Sequence, residues 1–292
     1  PPGAKRARIA VIRLTDGLLE RPESFSLSLA SFTGSGKAQA LSSLIVTLNK
    51  AAKDPALGGV LLDLSAFTLN LNQSQEIGGL LGNLRKAGKR VAVYASDYDL
   101  PTYVLASYAD TVIMPENGTL MLPGVGLQMV FFKGTLDKLS VTADFVQVGK
   151  FKGAEEPFTR TSPSPEYKEQ VEKLVEGMYT QVLKIMAANR PNLNDAQVKA
   201  AVDESWLTGK RAKALGLVDQ TLTRDRVDAW LQSQFPAGAT LVNDYVDSKK
   251  ETLDLNNPFS LLSMFTADSK PKSREPGIAV IYAVGEISSD AA

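Results

Sequence analysis

Two hydrophobic rhythms take turns along residues 8–114. Short, nearly unbroken apolar runs occupy 8–14 (RIAVIRL), 59–64 (GVLLDL), 90–95 (RVAVYA) and 111–114 (TVIM). Their length and β-branched content are those of strands buried on both faces. Between them the apolar residues recur at helical spacing. Leu41, Leu44, Ile45, Leu48 and Ala52 share one face of a helix over 35–53, stopped by Asp54-Pro55. Ile77, Leu80, Leu81 and Leu84 share one face of a helix over 74–87, which Gly88 ends. Residues 101–109 make a shorter helix with Pro101 in its first turn. The order is β-α-β-α-β-α-β. Strands apolar on both faces need a layer on each side, so the pattern predicts an α/β fold, a largely parallel sheet covered by helices through right-handed crossovers.

Beyond Met114 the pattern loosens into turn-rich pieces, a helical stretch at 131–139 and a strand at 144–148. A long helix over 166–189 follows, carrying Val171, Leu174, Val175, Met178, Val182 and Ile185 at helical spacing, then a shorter one over 195–202 capped by Asp195. Residues 207–219 read as a helix closed by Gly216 and a return strand. From 244 to 276 the composition turns to Ser, Lys, Asp, Asn and Pro around a small apolar island at 259–265, as in a linker. The run at 277–286 (GIAVIYAVGE) then echoes 8–17 (RIAVIRLTDG). The expected organisation is a domain over 1–243, a linker over 244–276 and, at 277–292, the opening strand of a second, truncated repeat.

Composition narrows the chemistry. The 292 residues are 44% hydrophobic and 22% charged, and 32 Lys+Arg balance 32 Asp+Glu, which gives no basic surface for nucleic acid. There is no histidine and no cysteine. A Cys nucleophile, a His base and a His/Cys metal cluster are therefore excluded, and neither a cofactor nor a metal is expected. A proton carrier must be a carboxylate, a tyrosine or a lysine, and a lysine serves as base only if its pKa falls from ~10.4 to roughly 7–8. No apolar run is long enough to cross a bilayer and no signal peptide is seen; the opening Pro1-Pro2-Gly3 reads as a processing boundary that leaves room for an upstream anchor. The stretch Gly34-Ser35-Gly36-Lys37 lacks the spacing of a phosphate loop. Asp16, Asp63 and Asp97 stand at strand ends, where turn capping outweighs metal binding, and Trp206 and Trp230 sit among apolar neighbours, as core or interface residues do.

The candidate for chemistry is the lysine pair of residues 148–158 (VGKFKGAEEPF). Period-two alternation turns Lys150 and Lys152 to the same side, so spacing does not choose between them. Glu155 and Glu156 would hold a nearby lysine protonated unless they face away.

The pattern Gly149-x-Phe151-Lys152-x-Ala154-x-Glu156-Pro157-Phe158, the strand–helix rhythm before it, the long helix after it and the ending at 214–219 (ALGLVD) together resemble the signal peptide peptidase A (protease IV) family, peptidase family S49, in its long tandem form. The resemblance spans about 8–231 and implies a crotonase/Clp protease-like fold. By the same resemblance Lys152 is the general base of a Ser/Lys dyad, and a second half-domain carries the serine. It further implies hydrophobic substrates (signal peptides left after secretion), a homo-oligomer such as a tetramer-like ring, and a bacterial inner-membrane location with the soluble part facing the periplasm. In the assembled enzyme Lys152 is expected to be buried, with Glu155 and Glu156 turned outward. The chain departs from the family's active half in two places. Registering Tyr103 on the family's aromatic puts Leu100 in the nucleophile slot, with Ser96 and Thr102 the nearest hydroxyls, and the glycine-rich oxyanion loop is replaced by 64–70 (LSAFTLN). The implied role is a base donor without its own nucleophile, inactive in isolation. A non-catalytic assembly module and an acyl-CoA hydratase/isomerase-like enzyme remain as alternatives. Burial of Lys152 and an adenine-sized pocket at the sheet's C-terminal edge, respectively, bear on them.

Overall fold

The strands whose apolar runs stand out in the sequence come together in one sheet. The computed structural model describes residues 6–20, 39–243 and 245. In chain order the elements are β1 (Ala7–Asp16), β2 (Leu18–Leu19), β3 (Gln39–Ala40), α1 (Leu41–Lys53), β4 (Leu57–Phe67), α2 (Leu71–Lys86), β5 (Arg90–Tyr94), α3 (Leu100–Ser107), β6 (Thr111–Met114) and β7 (Thr119–Met121). They continue with α4 (Lys133–Lys138), α5 (Glu156–Thr159), α6 (Pro165–Asn189), α7 (Asp195–Glu204), β8 (Trp206–Thr208), α8 (Gly209–Ala214), β9 (Gln220–Thr221), α9 (Arg224–Ser233) and β10 (Ala239–Val242). The main sheet has the order β10-β1-β4-β5-β6-β9, and every pairing in it is parallel.

Alternation along these strands divides the core in two. Ile12, Leu62 and Val93 face a layer that contains Leu44 and Leu48 of α1, Ile77 and Leu81 of α2, Met186 of α6 and Val198 of α7. Ile9, Val11, Leu61, Ala92 and Ile113 face the other way, onto Val227 and Leu231 of α9. With both faces covered, the near-continuous apolar character of the strands is explained. The fold is α/β, as the pattern predicts.

Boundaries differ where local chemistry takes over. Helix α1 begins at Leu41 rather than 35, because Gln39 and Ala40 pair with β2; Gly34-Ser35-Gly36-Lys37 lies outside the described residues. Helix α2 starts at Leu71, ahead of the expected 74, because Asn70 and Gln73 form a reciprocal capping box. Asn194, rather than Asp195, caps α7 in the same way. Gly88 ends α2 with φ +77°, a backbone conformation open to glycine. The expected strand at 144–148 belongs to no sheet. A strand needs a partner, and among the described residues no chain runs beside it. The linker and repeat expected over 244–276 and 277–292 lie outside the described residues except for Tyr245, which is buried and donates its hydroxyl to Asp54 at 3.3 Å.

The 214–219 ending has a mechanical explanation. Asp219 receives both Nη1 and Nη2 of Arg190, at 2.9 and 2.8 Å, and the backbone N–H of Val112 at 2.7 Å. Arg190, the C-cap of α6, also donates to the Gly216 carbonyl, while the Tyr103 hydroxyl donates to that of Leu217. One carboxylate thus ties α6 to the start of β6, at the sheet edge where β9 attaches.

Candidate active site

Lys152 sits in a loop whose shape is set by glycines. Gly149 has φ +107°, and the Lys152 N–H reaches back to its carbonyl at 3.3 Å. Gly153 is buried under Tyr167 of α6, where a Cβ would stand 2.9 Å from the ring's Cγ. The Gly153 carbonyl in turn accepts the Glu156 N–H at 3.1 Å. The loop then locks onto α6 through Glu156, whose carboxylate accepts the Ser164 N–H at 2.6 Å and the Ser164 hydroxyl, while Ser164 caps α6 by accepting from the Tyr167 N–H. Glu156 is therefore buried rather than turned outward. A carboxylate at a helix N-terminus is favoured by the helix dipole as well as by these donors. Its lone pairs are engaged there, and the first-turn capping cluster at 164–167 was the sequence signal that could have located it.

The Lys152 amine projects into solvent, as does that of Lys150, and among the described residues neither forms a hydrogen bond or ion pair. The burial expected of Lys152 in an assembly is not supplied by the described residues. Around it lies an arm with the character of an interface. Phe158 stacks on Phe132 at 5.7 Å and on Phe145 at 5.8 Å, and the Phe132 N–H donates to the Pro157 carbonyl. These three rings remain partly open to solvent, Phe151 is half exposed, Val148 is 83% exposed and Val146 fully so. Among the described residues, no backbone group of 123–131 or 142–148 makes a hydrogen bond. Exposed apolar side chains beside unpaired backbone leave donors and acceptors open to a neighbouring chain.

The slot that the resemblance assigns to a nucleophile falls elsewhere, at the N-terminus of α3. Leu100 is the first helical residue and is buried in the core. The Thr102 hydroxyl is committed to a capping box: it accepts the Asp99 N–H at 2.9 Å and donates to the Asp99 carboxylate, which itself takes the Thr102 N–H. Asp99 thereby places a negative charge where an oxyanion would need helix N–H groups. Ser96 is half-buried and bonds to Tyr94. Of the stretch 64–70, expected to stand in place of a glycine-rich loop, residues up to Phe67 belong to β4, with Ala66 and Phe67 paired to Thr15 and Asp16. A cavity of about 360 Å³ opens here, lined by Phe67, Asp97, Asp99, Thr102 and Trp206 among others. Among the described residues, neither Lys152 nor any other cation that could receive a phosphate lines it. Trp206, expected as a core or interface residue, is 65% exposed on its rim and so is not part of this chain's core; β7 and β8 form a two-stranded ribbon here.

The acidic strand ends behave as structural groups. Asp63 accepts from the Ser65 N–H and hydroxyl and pairs with Arg224 at 2.7 Å; Asp97 accepts the Thr119 N–H at 2.7 Å. The side chain of Asp16 lies outside the described residues. No carboxylate cluster among the described residues could hold a metal. Trp230 packs, partly buried, beside α9's apolar contacts with the sheet.

The fold and the motif define an α/β protein with a parallel, helix-covered sheet and a lysine presented on a projecting arm. The model of peptidase family S49 matches residues 83–236, just over half of the chain. Protease 4 of Haemophilus influenzae is 31% identical over 231 residues, covering 73% of this chain and 37% of its own length. Protease 4 of Salmonella typhi is 28% identical over 246 residues, 84% and 38% respectively. The chloroplastic serine protease SPPA of Arabidopsis thaliana is 25% identical over 202 residues, covering 69% of this chain and 30% of its own. The chain belongs to peptidase family S49. It spans less than two-fifths of the length of these relatives. Among solved structures, a mutant of the 1510-N membrane-bound stomatin-specific protease aligns with TM-score 0.46 at 10% identity, over 82% of this chain and 93% of that one. A mutant of ClpP1 from Listeria monocytogenes aligns with TM-score 0.43, also at 10% identity, over 74% and 92%.

Proposed function

We propose that this chain is the base-donating half of a serine–lysine endopeptidase, with Lys152 as general base and the serine supplied by a second half-domain. Family membership and the Protease 4 relatives support peptidase chemistry. The observation that carries the role of Lys152 is its setting: a loop shaped by Gly149, Gly153 and the Glu156–Ser164 cap, on an arm with exposed apolar side chains and, among the described residues, no backbone hydrogen bond over 123–131 or 142–148. A serine half that docks there supplies the missing strand and removes water from the amine. Lowering the lysine pKa by about three units requires roughly 4 kcal/mol of destabilisation of the ammonium form. In this reading the docked half removes water from the amine among Phe151, Val148 and its own apolar groups, which disfavours the charged ammonium, and Glu156 is committed to Ser164. Neutral Lys152 then takes the serine proton as the hydroxyl attacks the peptide carbonyl, and returns it to the leaving amine.

The substrate class is the hydrophobic peptide, signal peptides left after secretion in particular, and the assembly a homo-oligomeric ring at the bacterial inner membrane, facing the periplasm. Among the described residues no helix is long and apolar enough to cross a membrane, so an anchor would lie elsewhere in the protein. In the two-half enzyme, Lys152→Ala abolishes turnover of a fluorogenic hydrophobic peptide with the circular dichroism spectrum unchanged, whereas Lys150→Ala retains most of it. Equal losses from the two, or turnover by the 292-residue chain that survives Lys152→Ala, would overturn the assignment.

A further inference from the structure

Far from the arm in the sequence, where β4, β5 and β6 begin, a cavity of about 400 Å³ opens between the strand starts and α9. Trp230, Leu231 and Phe235 give it an apolar wall. The Phe235 ring lies against bare backbone: a Cβ at Gly58 would stand 2.9 Å from its Cε1. The charged lining is Arg85, Lys89, Arg90 and Asp110, three cations against one anion. Three of the four are already engaged. Asp110 accepts from Arg85 Nε at 2.6 Å and from the Val91 N–H at 2.9 Å. Arg85 also donates to the Tyr108 carbonyl, and Lys89 Nζ donates to the carbonyls of Asp54 and Leu57 at 2.6 and 2.8 Å. The Arg90 side chain has no hydrogen bond or ion pair among the described residues, and its guanidinium lies 5.4 Å from the centre of the Phe235 ring. A guanidinium stacked on a ring keeps its in-plane N–H donors for an acceptor such as a carboxylate.

We infer that this cavity binds a small amphiphilic carboxylate, its anionic group on Arg90 and its apolar part against Trp230, Leu231 and Phe235. The volume is at the small end of ligand sites, which run from about 300 to 1,000 Å³, and suits a dipeptide-sized or medium-chain acid. The net positive lining selects the anion, and the ring wall selects its apolar group. Two sources share this chemistry, the C-terminal carboxylate of a short apolar peptide and a free fatty acid. The site is separate from Lys152 and stands or falls independently of the proposed activity.

The chain has two tryptophans, so Trp206→Phe leaves Trp230 as the sole reporter inside the cavity. This protein is titrated with N-acetyl-leucyl-phenylalanine, with its C-terminal amide and with octanoate, following Trp230 fluorescence. A saturable change is expected with at least one acid. The amide should bind about tenfold more weakly than the peptide acid if the peptide is the source, and Arg90→Gln should weaken the responding acid about tenfold at an unchanged unfolding midpoint, in line with loss of a charge-assisted hydrogen bond. Response to octanoate alone identifies a fatty acid as the source; response to the peptide acid alone identifies a peptide terminus. No response to either acid, equal binding of peptide acid and amide without any octanoate response, or undiminished binding by Arg90→Gln overturns the inference.

Discussion

Replacing Asp219 by alanine is the sharpest test of how the α6 end of the molecule is held. The substitution removes both carboxylate acceptors from Arg190, whose side chain is 6% exposed, and leaves that guanidinium with the Gly216 carbonyl alone. It also strands the Val112 N–H, which donates to the same carboxylate. Removing one member of a buried ion pair costs about 3–5 kcal/mol, because the surviving charge stays desolvated. The Asp219 side chain is 29% exposed, so water can reach part of the vacated space and the lower end, about 3 kcal/mol, is expected. With a urea m-value of about 2–3 kcal/mol/M, the unfolding midpoint should fall by about 1 M. Arg190→Met combined with Asp219→Leu removes both charges and should cost far less than the sum of Arg190→Ala and Asp219→Ala. Urea unfolding followed by far-ultraviolet circular dichroism reads all three variants. An Asp219→Ala loss below about 1 kcal/mol, or strict additivity of the pair, would refute the view that this bridge is a buried, mutually dependent unit.

Tyr98 and Tyr103 are buried, and desolvation holds both hydroxyls above the ordinary tyrosine range. The unfolded chain ionises near pH ~10 while these two do not, so their contribution to stability is intact below that pH and declines as pH rises past it. In an alkaline titration by tyrosinate absorbance they should stay silent until the chain unfolds; full ionisation with unchanged circular dichroism would contradict this. Gly153→Ala forces a Cβ against the Tyr167 ring and should cost about 1–3 kcal/mol while displacing Lys152, so activity of the two-half enzyme should drop by more than stability alone explains. Activity unchanged from the parent would show that the loop's position is unimportant. Asn70→Ala breaks the α2 capping box and should lower stability by about 1 kcal/mol in the same urea assay, with no change at all counting against the cap.

The sheet was legible because its signal is local: Ile12, Leu62 and Val93 are apolar in runs that only a two-sided sheet explains, and Leu44, Leu48, Ile77 and Leu81 repeat at helical spacing. Helix starts were less so, since Asn70 reads as a cap only once Gln73 is seen to answer it. The 144–148 strand shows the opposite limit. Its residues carry strand character, but whether they pair depends on a neighbour that no local pattern can report. The same holds for Lys152. Its glycines can be read from the chain and its exposure cannot, because burial is decided by what packs on the arm. Trp206 follows the same rule: its apolar sequence neighbours allow a core or an interface place, and its exposure excludes only the core.

The unpaired arm also governs how the molecule has to be made. Residues 123–131 and 142–148 offer open backbone beside exposed apolar side chains, and any extended chain that arrives first can occupy them. At the concentrations of a nascent polypeptide the hazard is another copy of the same arm. A cognate segment tethered on the same polypeptide competes at an effective concentration in the millimolar range, far above that of a stray copy. Physical linkage of the two halves would then act as a chaperone, delivering the correct strand before an incorrect one can template aggregation.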